Sequence, residues 1–168
     1  MASEIASHNN SVNALHYLHK SFRHTFYMQK ALLQAQCAFE EDEVPVGAVV
    51  VYRNKIIAQA HNQVERLRDP TAHAEMLAIT QATAALKSKW LHNCTLYATM
   101  EPCAMCAGAL ILSRIEKVVF AASDPKTGAF GSKIDINRLK LNHKIKVKKG
   151  ILEKDCSQLL KDFFKAKR

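Results

Sequence analysis

The sequence predicts a layered α/β domain with a partly parallel sheet, and three observations carry that expectation. Short β-branched runs alternate with longer segments of helical apolar period. Two of the helical segments follow proline-bearing stretches, "DPTAHAE" and "EPCAMC", whose residues favour helix starts. No internal repeat or low-complexity linker interrupts the alternation.

Taken in order, residues 21–40 place Phe22, Phe26, Ala31, Leu32, Ala35 and Phe39 at helix-like intervals, and Glu40 to Glu43 then break the pattern. "VPVGAVVVY" and "IIAQA" flank the turn-like "RNK", so residues 46–60 read as a hairpin. Residues 61–71 are polar and end in "DPT". There Asp69 or Thr71 can cap the next helix, and Pro70 suits its first turn. That helix is expected from about Ala72 to Leu86. "CTLYAT" then gives a strand, "PCAMCAGALILS" a second helix and "KVVFAAS" another strand. A loop with Gly128 and Gly131 leads to "KIKVKKG", an expected edge strand. The last helix, from about Asp155, carries Leu159, Leu160, Phe163 and Phe164.

At 168 residues the chain suits one core, and residues 21–168 read as a single domain behind a variable extension over 1–20. The composition, 48% apolar and 23% charged, is globular, and no apolar run reaches the roughly 18 residues of a membrane helix. The first 20 residues lack an apolar signal segment, so a cytoplasmic address is expected, with no membrane partner. Their histidines, with His24, could hold a metal but read as part of a loose, partly helical extension. Five cysteines in such a chain argue against a disulfide framework. Cys37, Cys94 and Cys156 are isolated and read as small core residues. The net charge of +9 is uneven: residues 1–132 carry +1 and residues 133–168 carry +8. Such a tail suits a polyanion and equally suits a solvated basic face.

The chemistry concentrates in two stretches. Cys103 and Cys106 stand three apart, so one helical turn can aim both sulfurs at one ion. A helix start favours thiolate, the form that binds metal. His73 also lies at an expected helix start, and two such ends facing each other would assemble a Cys2His zinc site. Three protein ligands leave a fourth position for water, the arrangement of catalytic zinc, which lowers the pKa of bound water from 15.7 to about 7. Glu75 would diverge from His73 by about 200° on a regular helix, which sets it apart from the ligands and leaves it to shuttle protons. Two other readings remain open here: a structural zinc completed by Cys94, His61 or His92, and a redox-active C-x-x-C.

"HAE" followed by "PCAMC" resembles the signature of the zinc-dependent cytidine and deoxycytidylate deaminase superfamily. Within it, "VPVGAVVV", "DPTAHAEMLAI", "TLYATMEPCAMCAGALILSRI", "KVVFAASDPKTGAFGS" and "GILEKDCSQLLKDFF" resemble the bacterial tRNA-specific adenosine deaminases, from about His24 to Phe164. The resemblance implies a cytidine deaminase-like three-layer α/β/α fold with a five-stranded mixed sheet, and a homodimer. It implies hydrolytic conversion of the wobble adenosine of an arginine tRNA, presented in its anticodon stem-loop, to inosine. It further implies one zinc per subunit on His73, Cys103 and Cys106, Glu75 as proton shuttle, and no organic cofactor. Asn62, Asp124 and Lys126 would lie beside the flipped nucleotide, with Val46 and Ala74 near the base. Asn62 or Asp124 could instead serve local turns, and Val46 and Ala74 ordinary packing. The sequence departs from its relatives at Ala121, where glycine is usual, and in its extension. The alternative within enzymes is a deaminase of free guanine, cytosine or a nucleoside.

Overall fold

The computed structural model describes residues 22–167. The expected extension over residues 1–20, with the reading of its histidines as metal ligands, lies outside them.

Strands β1 (Gly47–Tyr52), β2 (Lys55–His61), β3 (Cys94–Met100), β4 (Lys117–Ala122) and β5 (Lys146–Lys149) form one sheet in the order β2-β1-β3-β4-β5. β1 runs antiparallel to β2 and β3, whereas β3, β4 and β5 are parallel. The expected hairpin closes at Arg53 and Asn54, both at positive φ (47° and 64°), the two-residue turn whose twist matches that of its strands. "KIKVKKG" supplies the edge strand β5, as expected.

Helix α1 covers residues 22–40 and is followed by α2 (Val64–Leu67), α3 (Ala74–Leu86), α4 (Ala104–Leu112) and α5 (Glu153–Ala166). Period-two alternation divides β1, β3 and β4 between two cores. Ala48, Val50, Leu96, Ala98, Val118 and Phe120 face α3 and α4, which meet them with Ala78, Ala82, Ala107 and Leu110. Val49, Val51, Tyr97, Val119 and Ala121 face the opposite layer, where Tyr27, Met28 and Ala31 of α1 and Cys156 of α5 lie. The result is the three-layer α/β/α arrangement with a five-stranded mixed sheet. Ala121 is accommodated inside the second core. Cys94 and Cys156 are buried core residues as expected, but Cys37 is only half-buried.

One residue sets the spacing of the layers. A Cβ on Gly47 would stand 2.1 Å from the carbonyl oxygen of Ala31 and 2.5 Å from the amide nitrogen of Ala35. Backbone against backbone leaves room only for hydrogen there.

The starts of α3 and α4 and a short helix within 61–71 differ from expectation for local reasons, and α5 begins at Glu153, two residues before the expected Asp155. Asp69 does not cap α3. Its Oδ1 accepts from the Thr71 amide (2.8 Å) and hydroxyl (2.7 Å), closing a turn of its own. The helix therefore starts at Ala74, with His73 extended at its N-cap (φ −69°, ψ 149°). Pro102 likewise precedes the N-cap, which is Cys103. Within the polar stretch 61–71, α2 forms one short turn of helix, closed by Arg68 in the left-handed region.

Candidate active site

The N-terminal ends of α3 and α4 meet beyond the ends of β1 and β3, and both helices begin there with a ligand-type side chain. His73 Nδ1 lies 3.7 Å from Cys103 Sγ and 3.5 Å from Cys106 Sγ, and the two sulfurs are 3.7 Å apart. Metal–sulfur bonds of about 2.3 Å and metal–nitrogen bonds of about 2.05 Å at tetrahedral angles require S···S near ~3.8 Å and S···N near ~3.6 Å. The observed triangle has those edges. Among the described residues, His73, Cys103 and Cys106 form a three-donor cluster that could hold one metal ion. Neither of the histidines nor the cysteine considered as a fourth ligand belongs to it: His61 pairs with Glu41 at 3.2 Å, and Cys94 lies in the core.

The donors are electrostatically prepared. A hydrogen bond from Cys106, together with one from His73, pulls the Cys103 thiol down to about 4, so it is a thiolate at neutral pH. Cys106, sharing one proton with that thiolate and fully buried, is pushed the other way. The hydrogen bond to Cys103 raises the imidazole of His73.

Glu75 enters the same cleft from the first turn of α3. Its 3% exposure matters, because burial lifts the carboxyl to about 7, with the Cys103 thiolate adding to the shift and His73 opposing it. The expected divergence of 200° from His73 assumes that both residues are helical. His73 is instead extended at the N-cap, and that bend brings imidazole and carboxylate to one cavity.

The cleft measures about 300 Å³. Val46, Asn62 and Asp124 line it together with Glu75, His73 and Cys103. Ala74 is fully buried behind the wall, and Lys126 is exposed outside it, so neither lines the cavity. Asp124 is turned toward its own loop, where Oδ1 accepts from the Lys126 amide (2.8 Å) and Oδ2 from the Thr127 hydroxyl.

Two buried carboxylates escaped the sequence reading. Glu43, 1% exposed, accepts from Asn62 Nδ2 (3.0 Å) and the Arg66 amide (2.8 Å), tying one cleft wall to α2. Glu101, equally buried, accepts from the amides of Asp124 (3.1 Å), Phe130 (2.8 Å) and Ser132 (3.1 Å) and from the Ser132 hydroxyl. Gly128 permits that wrapping, since a Cβ there would sit 2.6 Å from Glu101 Cδ. A charged group at each position is the signal that could have found them, because an isolated buried carboxylate survives only with several donors.

Comparison with known proteins places this site. Residues 22–168 match the MafB19-like deaminase family. The tRNA-specific adenosine deaminase of Aquifex aeolicus is 51% identical over 144 residues, covering 85% of this chain and 95% of the relative. The chain belongs to the tRNA-specific adenosine deaminases. A solved structure from studies of A-to-I editing by tRNA:A34 deaminases at the wobble position of transfer RNA superposes on this deaminase with a TM-score of 0.78. It is 39% identical and covers 80% of this chain and 99% of its own. The guanine deaminase of Nitrosomonas europaea has the same architecture (TM-score 0.69) at 27% identity, covering 83% of each chain. The fold is thus that of the cytidine deaminase superfamily, and the protein is a deaminase, hence a hydrolase.

Proposed function

We propose that this protein hydrolyses the 6-amino group of adenosine at the wobble position of tRNA, giving inosine and ammonia. The observation that carries the reading is the buried Glu75 carboxyl opening on the same cavity as the His73–Cys103–Cys106 triangle. Thiolate and imidazole donors at these separations fit zinc, one ion per subunit, held by those three residues. Such an ion supplies Lewis-acid activation of water near neutral pH.

The remaining work falls to the chain. Glu75 accepts a proton from the attacking water and carries it to ring N1 as the oxygen adds to C6. The same carboxyl then delivers a proton to the departing amine. A group held near 7 can do both, since it is neither a strong acid nor a strong base there. Val46 packs against the base, with Ala74 behind it. Asn62, its amide held by Glu43, and Asp124, in the loop held by Glu101, position the nucleotide, and Lys126 at the rim meets its phosphate.

Val44 and Glu65 are shared between the catalytic cleft and an outer groove of about 560 Å³ that also holds Glu41, Asp42 and Phe164, with Arg66 paired to Glu41 (3.2 Å) and Lys167 to Asp42 (2.5 Å). Phe164 is half exposed, a platform on which a base flanking the extruded adenosine can stack. A single-stranded anticodon loop suits this path, because its bases leave the stack at little cost. The strongly basic segment from Lys133 onward supports the same substrate class.

We assign a cytoplasmic address; among the described residues no helix is long and apolar enough to cross a membrane. We read the extension over 1–20 and the domain over 21–168 as separate units. A homodimer is supported by the outer face of α4, where Ala104 is exposed, a Cβ on Gly108 would touch nothing within 4 Å, and Leu112 is 81% exposed. Ala107, on the other side of the helix, belongs to the core.

Incubation of the purified protein with total tRNA should produce wobble adenosines that reverse transcription reads as guanosine. Unchanged tRNA alongside ammonia release from free guanine or cytosine would assign the small-molecule reaction instead.

A further inference from the structure

A second cavity, of about 240 Å³, opens at the opposite end of the sheet. Catalytic residues gather where β3 ends, at Met100; this one lies where β3 and β4 begin, around the paired residues Thr95 and Lys117. The seven residues of β3 separate the two by roughly 20 Å at about 3.3 Å per residue.

Three cations surround the cavity: Arg23 from α1, Arg53 from the hairpin turn and Lys117 from β4. Among the described residues, none of those lining it is acidic. Glu116, the acid next to Lys117 in sequence, is bridged to Lys146 at 3.0 Å and also feels the charge of Lys117. Neutral hydrogen-bonding groups complete the walls, with the Asn54 and Asn93 amides and the Thr95 hydroxyl. The floor is polar as well as aromatic: His24 Nδ1 and the Tyr97 hydroxyl are joined at 2.9 Å, both side chains buried. The hairpin wall is fixed by Tyr27, whose hydroxyl donates to the Asn54 carbonyl at 2.8 Å, and by Arg23, which donates to the Asn54 side chain at 3.3 Å.

Like charges converging on a hollow repel one another, and an anion between them converts that repulsion into attraction. Guanidinium forks and amide donors on several sides match the tetrahedral oxygens of phosphate. We propose that this far-end cavity binds a phosphate group, of RNA or of a nucleotide, at a site distinct from the catalytic cleft.

The test uses the full metal-loaded chain and three probes: inorganic phosphate, adenosine 5′-monophosphate and oligouridine, which has no adenosine to deaminate. Calorimetric titration should show saturable binding of phosphate. The triple variant Arg23→Gln, Arg53→Gln, Lys117→Gln should weaken it at least tenfold while leaving kcat on an anticodon stem-loop unchanged. Arg53→Gln alone, on an exposed turn, should give a smaller weakening in the same direction and guards against misfolding of the triple variant. If the natural ligand is RNA, oligouridine binds tighter than the mononucleotide and loses that advantage in the triple variant. If it is a free nucleotide, the monophosphate binds at least as tightly as oligouridine. Absence of saturable binding, or affinity that the variants leave untouched, overturns the proposal. Loss of deamination with phosphate binding intact would count against the proposed function and not against this site.

Discussion

The two walls of the catalytic cleft are built on opposite plans. One consists of His73, Cys103, Cys106 and Glu75, packed at two helix starts, where every group is poised to act on something outside the protein. The other consists of Asn62 and Asp124, whose polar atoms are already engaged by Glu43 or by their own loop, with Glu101 holding that loop in place. Under the proposed reaction, the difference teaches that chemistry resides on the first wall and shape on the second. Substitutions should therefore divide into those that abolish turnover with the fold intact and those that loosen fold and binding together.

The largest effect is expected from Glu75→Ala. Removing the carboxyl proposed to move protons at the triangle should lower kcat by about 10³-fold or more, at the upper end of what general acid–base groups contribute. Metal content by elemental analysis should stay at one ion per chain; retention of near-normal turnover would dissolve the division between the walls. Next comes Glu101→Ala, which leaves three loop amides without their acceptor. Stability should fall by about 3 kcal/mol, read from chemical unfolding, because buried donors are left unpaired. Metal binding by the folded fraction should persist.

A milder change sharpens the comparison on the second wall. Glu43→Gln keeps the volume but removes the charge that orients Asn62, and should raise KM about tenfold, equivalent to about 1.4 kcal/mol, with kcat changed by less than a factor of about three. An equal fall in kcat with KM constant would move Glu43 to the chemical wall.

The smallest effect concerns cysteines that belong to neither wall. Burial pushes Cys94 up to about 11 and Cys156 up to about 12 from an ordinary value of 9.0. Folding thus favours the neutral thiol, and below pH 9 neither state loses a proton. Above it the unfolded chain ionises first, so stability falls as pH rises toward the folded values. At pH 9.5 the loss should be about 0.8 kcal/mol per thiol. Urea unfolding of the Cys156→Ala variant, compared with the parent at pH 8 and 9.5, should show a shallower decline. Parallel declines would contradict the assignment.

The same division explains what the sequence disclosed. The chemical wall is written in residue types that are costly to bury without purpose, at spacings set by one helical turn, so "HAE" and "PCAMC" were legible without coordinates. The hairpin was equally plain, since β-branched runs around "RNK" leave few alternatives. Glu43 was hidden because it closes the acidic run Glu40 to Glu43, which reads as solvent-facing, and only its burial by α2 and Asn62 gives it a role. Glu101 was hidden beside the louder cysteine motif; its partners lie 23 to 31 residues downstream, beyond any local periodicity. The start of α3 was misplaced by two residues because Asp69 and Thr71 satisfy each other, a competition between turn and cap that residue preferences cannot rank.

Gly47 links layers that otherwise have no reason to communicate. Its amide donates to the Thr99 hydroxyl at 3.0 Å, its neighbour Val46 lines the cleft, and the backbone of α1 presses on it from behind the sheet. The aperture through which a nucleobase enters is consequently gauged from the rear of the molecule. Side chains on α1 that never see the substrate become adjusting screws for its width, and remodelling of that remote helix is a route to altered base selectivity with every catalytic group left as it stands.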